Sequence, residues 1–365
     1  MQAERDALEA DRRDAGRFQN PELEFATGEG DLFDEPESKS VREFSISQNL
    51  GNPLVRHYTM GARRDAVEAA TEGVRYGSLE VDYEVRNHFF RILYLQELLD
   101  LARLNEGALE EVTGLIETRA RVGEVRELEA IRLRVEHMRA QNRVNAAELE
   151  LTQFRQHLNV FLGNSLPEGF RLSGELEADL QIPDFARLRD ERLPEHPLLL
   201  QATQFTEAAG RELKASQFRW LPDPVVSATK AKELDGDILS FGIGFEIPLW
   251  NQSRAAAERE KQTLRQMEQQ EAGLRMELEA ELMSHHNDLL LHRQTLQLFQ
   301  EGLLREADAS MEIADTSYRE GEISLVEYLE TRRTFQSIQI EFQQALFDWN
   351  QGLAELNRAV GGGIL

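Results

Sequence analysis

The stretch LSFGIGFEI at residues 239–247 predicts more about the architecture than any other part of the chain. Small or polar residues alternate strictly with large apolar ones, the apolar set being Leu239, Phe241, Ile243, Phe245 and Ile247. Successive side chains of a β-strand point to opposite faces, so this period of two predicts a strand with one apolar face and one polar face. Such a strand of about 9–11 residues suits a sheet with lipid on one side and water on the other.

A weaker copy of this pattern lies near the start of the chain, where Phe44 and Ile46 alternate with Ser45 and Ser47. Each copy needs a partner strand before it. We therefore predict strands near 20–27, 41–50, 222–231 and 238–247. A strand pair alone also fits a sheet that covers an ordinary soluble core. Closing a barrel takes at least about 8 strands, so a membrane role would require several chains to share one barrel.

The two strand regions belong to a tandem duplication of the chain. Gly123 and Gly321 lie 198 residues apart in similar sequences, RVGEVRELEA and REGEISLVEY, and Gly163 and Gly361 repeat that spacing. Phe44 and Phe241, which precede the long helical tracts, lie 197 residues apart, and Asn20-Pro21 and Asp223-Pro224 open the strand regions at a looser offset of 203. These four landmarks, in one order with nearly one offset, predict two structural repeats, at 1–182 and 183–365. The opening helix predicted at 196–219 has only a partial counterpart at 3–18. We therefore expect the N-terminus to be truncated, with an export signal missing from this chain.

Two long helical hairpins are predicted, at 55–162 and 252–360. The tracts 55–120 and 252–318 contain no proline and few glycines, and each would span roughly 100 Å as one continuous helix. Helices this long need side-by-side partners, as in coiled coils. A seam with alternating spacings of four and three supports this, formed by Phe342, Leu346, Trp349, Leu353, Leu356 and Val360. A soluble coiled-coil scaffold with an accessory sheet therefore remains an alternative.

The turns of the two hairpins are predicted at Gly123 and Gly321, because glycine readily adopts the left-handed conformation that ends a helix. Ser324 and Glu327 form a capping-box pattern at the start of the next helix. Displayed in a ring, matching turns would offer a docking surface. Its residues would be Val122, Gly123, Glu124, Gly321, Glu322, Ile323 and Ser324.

Composition limits the function classes that remain. Asp and Glu number 66 against 41 Lys and Arg, a formal net charge of -25, which argues against nucleic acid as a partner. The chain has no cysteine and no phosphate-binding loop, nucleophile motif or metal-ligand cluster, so we expect no enzyme activity, no cofactor and no resident metal. His285 and His286 are adjacent and would point in different directions from a helix, which disfavours a shared metal ion.

Taken in order, these segments resemble the TolC family of outer-membrane efflux proteins. The resemblance covers nearly the whole chain and occurs twice. Its first copy includes NPELEFATGEG, FSISQNL and GEVRELEA, and its second includes LPDPVVSATK, FGIGFEIPLW, GEISLVEYLETRRTFQ and LAELNRAVGG. The last of these segments is most similar to the branch that serves heavy-metal efflux pumps.

The resemblance implies a mainly α fold with a small β part. A homotrimer would share one β-barrel in outer-membrane lipid, with four strands from each chain, and one α-barrel of antiparallel coiled-coil helices in the periplasm. The duct would be passive, and would export small solutes or metal cations. Its turns would meet a periplasmic adaptor protein, which couples to an inner-membrane pump of the RND type. The strand residues expected to face lipid are Phe44, Ile46, Leu239, Phe241, Ile243 and Phe245.

The resemblance also implies a constriction at the turn end of the duct. Family members narrow the tunnel there with acidic side chains, matched here by Glu327 and Glu330 after the second turn and by Glu129 after the first. Tyr318 matches a tyrosine of the closing network. Ile323 stands where some members have a basic partner, so Arg332 or Arg121 would have to replace it. Without the resemblance, Glu327 fits a helix cap, and Glu129 and Glu330 fit solvated helix faces.

Overall fold

A computed structural model of the chain describes residues 2–30, 39–232, 236–246 and 254–364. Within them, the chain forms long helices and one antiparallel sheet, which confirms the predicted mainly helical class with a small β part. The helices are α1 (Gln2–Ala15), α2 (Pro53–Arg121), α3 (Glu127–Phe161), the single turn α4 (Phe185–Arg187), α5 (Pro197–Phe218), α6 (Arg254–Leu298), α7 (Leu304–Glu320) and α8 (Leu325–Ala359).

The four strands form one antiparallel sheet in the order β1-β2-β3-β4. They are β1 (Glu22–Gly30), β2 (Lys39–Asn49), β3 (Asp223–Lys232) and β4 (Asp237–Glu246). Each lies within a few residues of the span predicted for it, while Ile247 falls outside the described residues. The register continues across the sheet without a bulge, so Phe25, Phe44, Lys230 and Leu239 form one cross-strand row.

The second long helix is broken, whereas a continuous helix was expected over 252–318. Residues 252 and 253 lie outside the described residues, and α6 ends at Leu298. A wide π turn at Phe299–Leu303 follows, in which Gly302 has a φ of 144°. That conformation is open to glycine but strongly unfavourable for a residue with a Cβ atom. The prediction of one continuous helix over this tract was therefore wrong at Gly302.

One compact unit comprises Met1–Gly77 and Pro194–Glu277, and it contains the sheet. Here the start of α2 packs closely on α5, where Gly61 lies against the side chain of Arg211. Asp65 is almost completely buried and pairs with the same arginine. Asn52 caps α2 by accepting from Leu54 N at 2.9 Å, and its amide donates to the Phe218 carbonyl at 3.0 Å. These contacts fix the directions in which the chain enters and leaves the sheet.

The other compact unit comprises Ser78–Leu193 and Leu278–Leu365, and it contains both helix turns. Its larger core is built around Trp349, Leu356 and Leu289, which are fully buried. A second, smaller core lies next to the turns, with Leu133 and Tyr328 at its centre. The predicted heptad seam of α8 supplies several of these side chains, so the seam is a packed core of this unit.

The two compact units do not coincide with the two predicted repeats, because each unit takes segments from both halves of the chain. The division at 182/183 therefore stays a prediction about sequence duplication. None of the helices in the described part of the chain combines the length and the apolar character that a membrane-spanning helix needs.

Candidate functional site

Both helix turns close with the same backbone hydrogen bonds. Gly123 N donates to Ala120 O at 3.1 Å and Glu124 N donates to Arg119 O at 3.0 Å. In the second turn Gly321 N donates to Tyr318 O at 3.1 Å and Glu322 N to Ser317 O at 2.8 Å. The two glycines have φ values of 81° and 83°. This is the Schellman arrangement that satisfies the last carbonyl groups of a helix, and it leaves the residues around each glycine exposed.

The second turn also starts its outgoing helix with a complete capping box. The hydroxyl and backbone N of Ser324 each donate to Glu327 Oε2 at 2.8 Å, and Glu327 N donates to Ser324 Oγ at 3.3 Å. The hydrogen bonds from the backbone N and the hydroxyl lower the pKa of the Glu327 carboxyl. Glu327 is therefore held as an exposed carboxylate. Its position as a helix cap and its proposed place at a constriction are compatible.

The first turn uses an ion pair in place of a cap. Arg126 occupies the N-cap position of α3 without a side-chain hydrogen bond to the helix. Its Nε atom lies 3.5 Å from Glu129 Oε1. Burial raises the pKa of Tyr318 to about 12, and the negative charge of Glu129 adds to the rise. Glu129 therefore lies close enough to Tyr318 to affect its hydroxyl group. Two of the four predicted constriction residues are thus brought together.

Tyr318 stacks on Tyr328, a residue that sequence reasoning did not single out as part of the site. Their ring centroids are 4.7 Å apart with an interplanar angle of 16°. Tyr328 is fully buried, and the hydroxyl of Tyr318 is buried without a hydrogen-bond partner among the described residues. The only feature of the sequence that could have pointed to this pair is its distance from the turn, since the two tyrosines lie three residues before and seven residues after Gly321.

Arg332 is the better connected of the two arginines considered in place of a basic residue at Ile323. Its Nη1 donates to the Tyr328 hydroxyl and its Nε to Asn105 Oδ1, each at 3.0 Å. It thereby links α8 to α2. Arg121, the other candidate, donates only to the neighbouring Thr118 hydroxyl at 3.2 Å among its described contacts. Of the two alternatives, Arg332 has the contacts that a closing network needs.

Glu330 is exposed and lies one helical turn beyond Glu327. It borders a shallow groove next to Ala307, Ser310 and Phe335. Among the described residues, no hydrogen bond or ion pair joins Glu327 or Glu330 to Glu129. A ring of carboxylates would therefore have to come from several copies of the chain.

The sheet, in the other compact unit, leaves its apolar face uncovered. The exposed fraction of the predicted apolar side chains ranges from 40% for Ile46 to 80% for Phe241. The register adds two exposed residues that the sequence analysis had not selected, Leu23 opposite Ile46 and Phe25 opposite Phe44. The uncovered apolar face comprises Leu23, Phe25, Phe44, Ile46, Val226, Ala228, Leu239, Phe241, Ile243 and Phe245.

The opposite face of the sheet is small, polar and acidic. Its central rows contain serine, threonine and glycine, such as Ser47, Ser227 and Gly242 in one row. Among the strand residues whose side chains are described, the charged ones on this face are the carboxylates Glu22, Glu24, Glu43, Asp223 and Glu246. A sheet with this division of residues can separate an apolar medium from water.

The described residues offer no group of three or more His, Cys, Asp or Glu side chains arranged to hold a metal ion. The histidine pair noted in the sequence is engaged separately. His285 lies between Glu281 and Glu355, with nitrogen–oxygen distances of 3.6 and 3.3 Å. His286 is hydrogen-bonded to the Pro183 carbonyl at 3.1 Å.

Comparisons with known proteins agree with this architecture. Residues 188–362 match the family described as outer membrane efflux protein. The chain is 22% identical to the cobalt-zinc-cadmium resistance protein CzcC of Cupriavidus metallidurans, over 97% of this chain and 85% of that protein. It is 24% identical to the pyoverdine export outer membrane protein OpmQ of Pseudomonas aeruginosa, over 83% of this chain and 67% of that protein.

The fold is similar to that of the transmembrane channel protein CusC, with a TM-score of 0.80 and 16% identity over 99% of this chain and 88% of that one. The TolC-like fold predicted from the resemblance is confirmed by this likeness. Nearly half of the chain, residues 188–362, thus matches the outer membrane efflux protein family, and together with the similarity to CzcC and OpmQ this makes the chain an outer-membrane efflux duct and not an enzyme.

Proposed function

We propose that three copies of this chain form the outer-membrane duct of a tripartite efflux system for metal cations or other small solutes. The observation that carries the proposal is the two-faced sheet, with an exposed apolar face and an acidic polar face. Leaving that many large apolar side chains in water would be costly, since soluble monomers rarely expose large contiguous apolar patches. A soluble scaffold has no use for such a face.

The trimer follows from the number of strands. A single four-stranded sheet has two unpaired edges, here β1 and β4, and it is too short to close on itself. Three copies would supply twelve strands to one barrel, with the apolar face toward lipid and the acidic face toward the lumen. The helices would then continue as a duct in the periplasm. Transport through it is passive, and the energy comes from the pump.

The partners are a periplasmic adaptor protein and an inner-membrane pump, which we propose is of the RND type. The adaptor would contact the two turns, through Val122, Gly123 and Glu124 in the first and Gly321, Glu322, Ile323 and Ser324 in the second. Their near-identical backbones support this role, because one adaptor surface could bind both. The similarity to CzcC, named for cobalt-zinc-cadmium resistance, supports metal cations as cargo. The net charge of -25 would favour cations near the duct.

We place the constriction at Glu327, Glu330, Glu129 and Tyr318. Three copies of the exposed pair Glu327 and Glu330 around a threefold axis would bring carboxylates of like charge together. Such crowding disfavours full ionisation, and a bound cation relieves it. The ring would therefore bind divalent cations and obstruct the flow of other ions.

The test is the conductance of the purified trimer in planar bilayers. Glu327→Gln combined with Glu330→Gln should weaken the block caused by divalent ions or cobalt hexammine. Glu258→Gln combined with Glu268→Gln is the matched control, because both are exposed carboxylates on α6. An unchanged block in the first variant would contradict the constriction. A protein that fractionates as soluble, with no heat-resistant trimer in the outer membrane, would contradict the duct itself.

A further inference from the structure

Among the strand residues whose side chains are described, the basic ones lie at one end of the apolar face. In the register, Lys230 shares a row with Phe44 and Leu239, and Arg42 and Lys232 share the next row. The rows on the other side of Lys230 carry no charge on this face, from Leu23 and Ile46 down to Phe245. The apolar face thus ends in a group of three exposed cations, next to the connections between β1 and β2 and between β3 and β4.

We name Arg42, Lys230 and Lys232 the basic row, although they occupy two adjacent rows of the register. None of the three has an ion-pair partner among the described residues. Arg42 and Lys232 are directly opposite across β2 and β3, a position at which like charges repel. Two carboxylates share this end of the face. Asp237 lies opposite Lys232 on β4, and Glu29 lies on β1 two residues beyond Thr27, the residue opposite Arg42. Neither is within ion-pair distance of the basic row in the described part of the chain. An anion bound between the cations would relieve their repulsion.

The anion should approach from the apolar side. Among the strand residues whose side chains are described, every Lys and Arg lies on the apolar face, while the polar face carries five carboxylates. An anion in the lumen would be repelled by that acidic face. The stem of Lys230 runs beside Phe44 and Leu239, so its ammonium can reach past apolar neighbours to the polar boundary. Apolar rows that end in cations match a molecule with an acyl part and an anionic head.

We propose that the basic row binds phosphate groups of membrane lipids in the leaflet next to the strand connections. The inference rests on the proposed function, because it requires the apolar face to lie in lipid. Phosphate is the favoured anion, because a guanidinium such as that of Arg42 binds two of its oxygens at once and the two lysines add point charges. The strands meet the helices at their opposite ends, so this leaflet is the one on the side away from the helices.

The test compares lipid binding by trimers in vesicles of phosphatidylcholine that contain a minor fraction of bisphosphorylated lipid A. Retention of that lipid on the solubilised trimer is measured by native mass spectrometry. Arg42→Gln with Lys230→Gln and Lys232→Gln should lower its affinity by at least about tenfold, since each basic residue near an anionic lipid surface contributes to binding. Lys261→Gln with Arg265→Gln and Arg275→Gln removes the same charge from exposed positions of α6 and should leave the affinity unchanged.

Each outcome bears on a separate claim. If both triple variants conduct normally and bind the bisphosphorylated lipid with the same affinity, the basic row is not a lipid site. Displacement of the lipid by inorganic phosphate alone would also overturn it, since the site would then select a free anion. Stronger retention of bisphosphorylated than of monophosphorylated lipid A, lost only in the basic-row variant, supports it. Failure of the unmodified trimer to insert and conduct would count against the proposed function, and would remove the inference with it.

Discussion

The two helix turns have the same backbone and different interiors. Both close at a glycine with φ near 80°, both make the same pair of backbone hydrogen bonds, and both place a glutamate six residues later. They differ in the side chains that fill the space behind the turn. Tyr318 and Tyr328 stack in the second turn, whereas the corresponding positions of the first turn are Ala120 and Ala130.

This difference separates the two tasks of a turn. The glycine and its hydrogen bonds reverse the chain, and they need no particular neighbours. The tyrosine pair and Arg332 connect the second turn to α2, so that turn depends on its surroundings. We infer that the stability of the first turn depends mainly on its backbone, whereas that of the second turn also depends on its tyrosine pair and Arg332. Three predictions test this, in decreasing order of expected effect.

Replacing Tyr328 by alanine should destabilise the second turn strongly and the first turn little. The change empties a fully buried site and ends the stacking with Tyr318, and removing a buried aromatic ring usually costs about 3–5 kcal/mol. Hydrogen exchange followed by mass spectrometry would measure the opening free energy of each turn. The matched control is Ala130→Gly, at the equivalent position, which should cost about 1 kcal/mol. If the two variants lowered the hydrogen-exchange protection of their turns equally, the side chains packed behind the two turns would contribute equally to stability.

Replacing Gly123 or Gly321 by alanine should destabilise the two turns to the same extent, by about 1–2 kcal/mol each. A Cβ atom at either position meets no other atom within 4 Å, so the cost arises from the left-handed backbone alone. Local opening free energies from hydrogen exchange would again be the measurement.

The control for the glycine pair is Gly107→Ala, in the interior of α2. A Cβ atom there also meets no atom within 4 Å, but the backbone is helical, so alanine should stabilise the helix by about 0.5–1 kcal/mol. If alanine at Gly123 or Gly321 lowered the local opening free energy no more than alanine at Gly107, the left-handed conformation shared by the two turns would be contradicted.

Removing the cap at Ser324 should have the smallest effect, about 1 kcal/mol, and Arg126→Ala should change stability by less than about 0.5 kcal/mol. Ser324 lowers the pKa of Glu327 in the folded state, so this interaction adds stability above the unfolded pKa and loses it as the pH falls through the folded value. The difference between Ser324→Ala and the unmodified protein should therefore shrink as the medium is acidified below pH 4.5. Thermal unfolding at several pH values would measure it, and a difference that grows in acid would refute this assignment.

Most of the fold could be predicted from local patterns. The alternation around Phe241 located β4 and the division of its faces, and the spacing of Gly123 and Gly321 located both turns. The break at Gly302 was missed because a glycine inside a helical pattern usually remains helical, and nothing nearby signalled that this one would adopt a positive φ. Leu23 and Phe25 were missed because their alternation with Glu22 and Glu24 covers only four residues before Ala26 and Thr27, and the register confirms that they share the apolar face.

The constriction could be predicted less completely. Tyr318 and the glutamates were named from the resemblance, but their environment was not. Tyr328 was not named, although its spacing of four residues from Arg332 places both side chains on one side of α8. Arg332 and Asn105 are 227 residues apart, and no local pattern connects them. The adaptor contact, the constriction and the lipid contact stay predictions until the experiments above are done.

The sequence by itself determined where the chain turns and which strand faces are apolar, because glycine conformation and side-chain alternation depend on a few neighbouring residues. The duplication of the chain stays a prediction from its repeated spacings. The tertiary structure decided that the apolar rows remain uncovered by the chain's own helices, that the two tyrosines beside the second turn stack, and that the cations among the described strand side chains gather at one end of one face. Those features depend on strand register and helix packing between residues far apart in the chain, which short-range preferences do not specify.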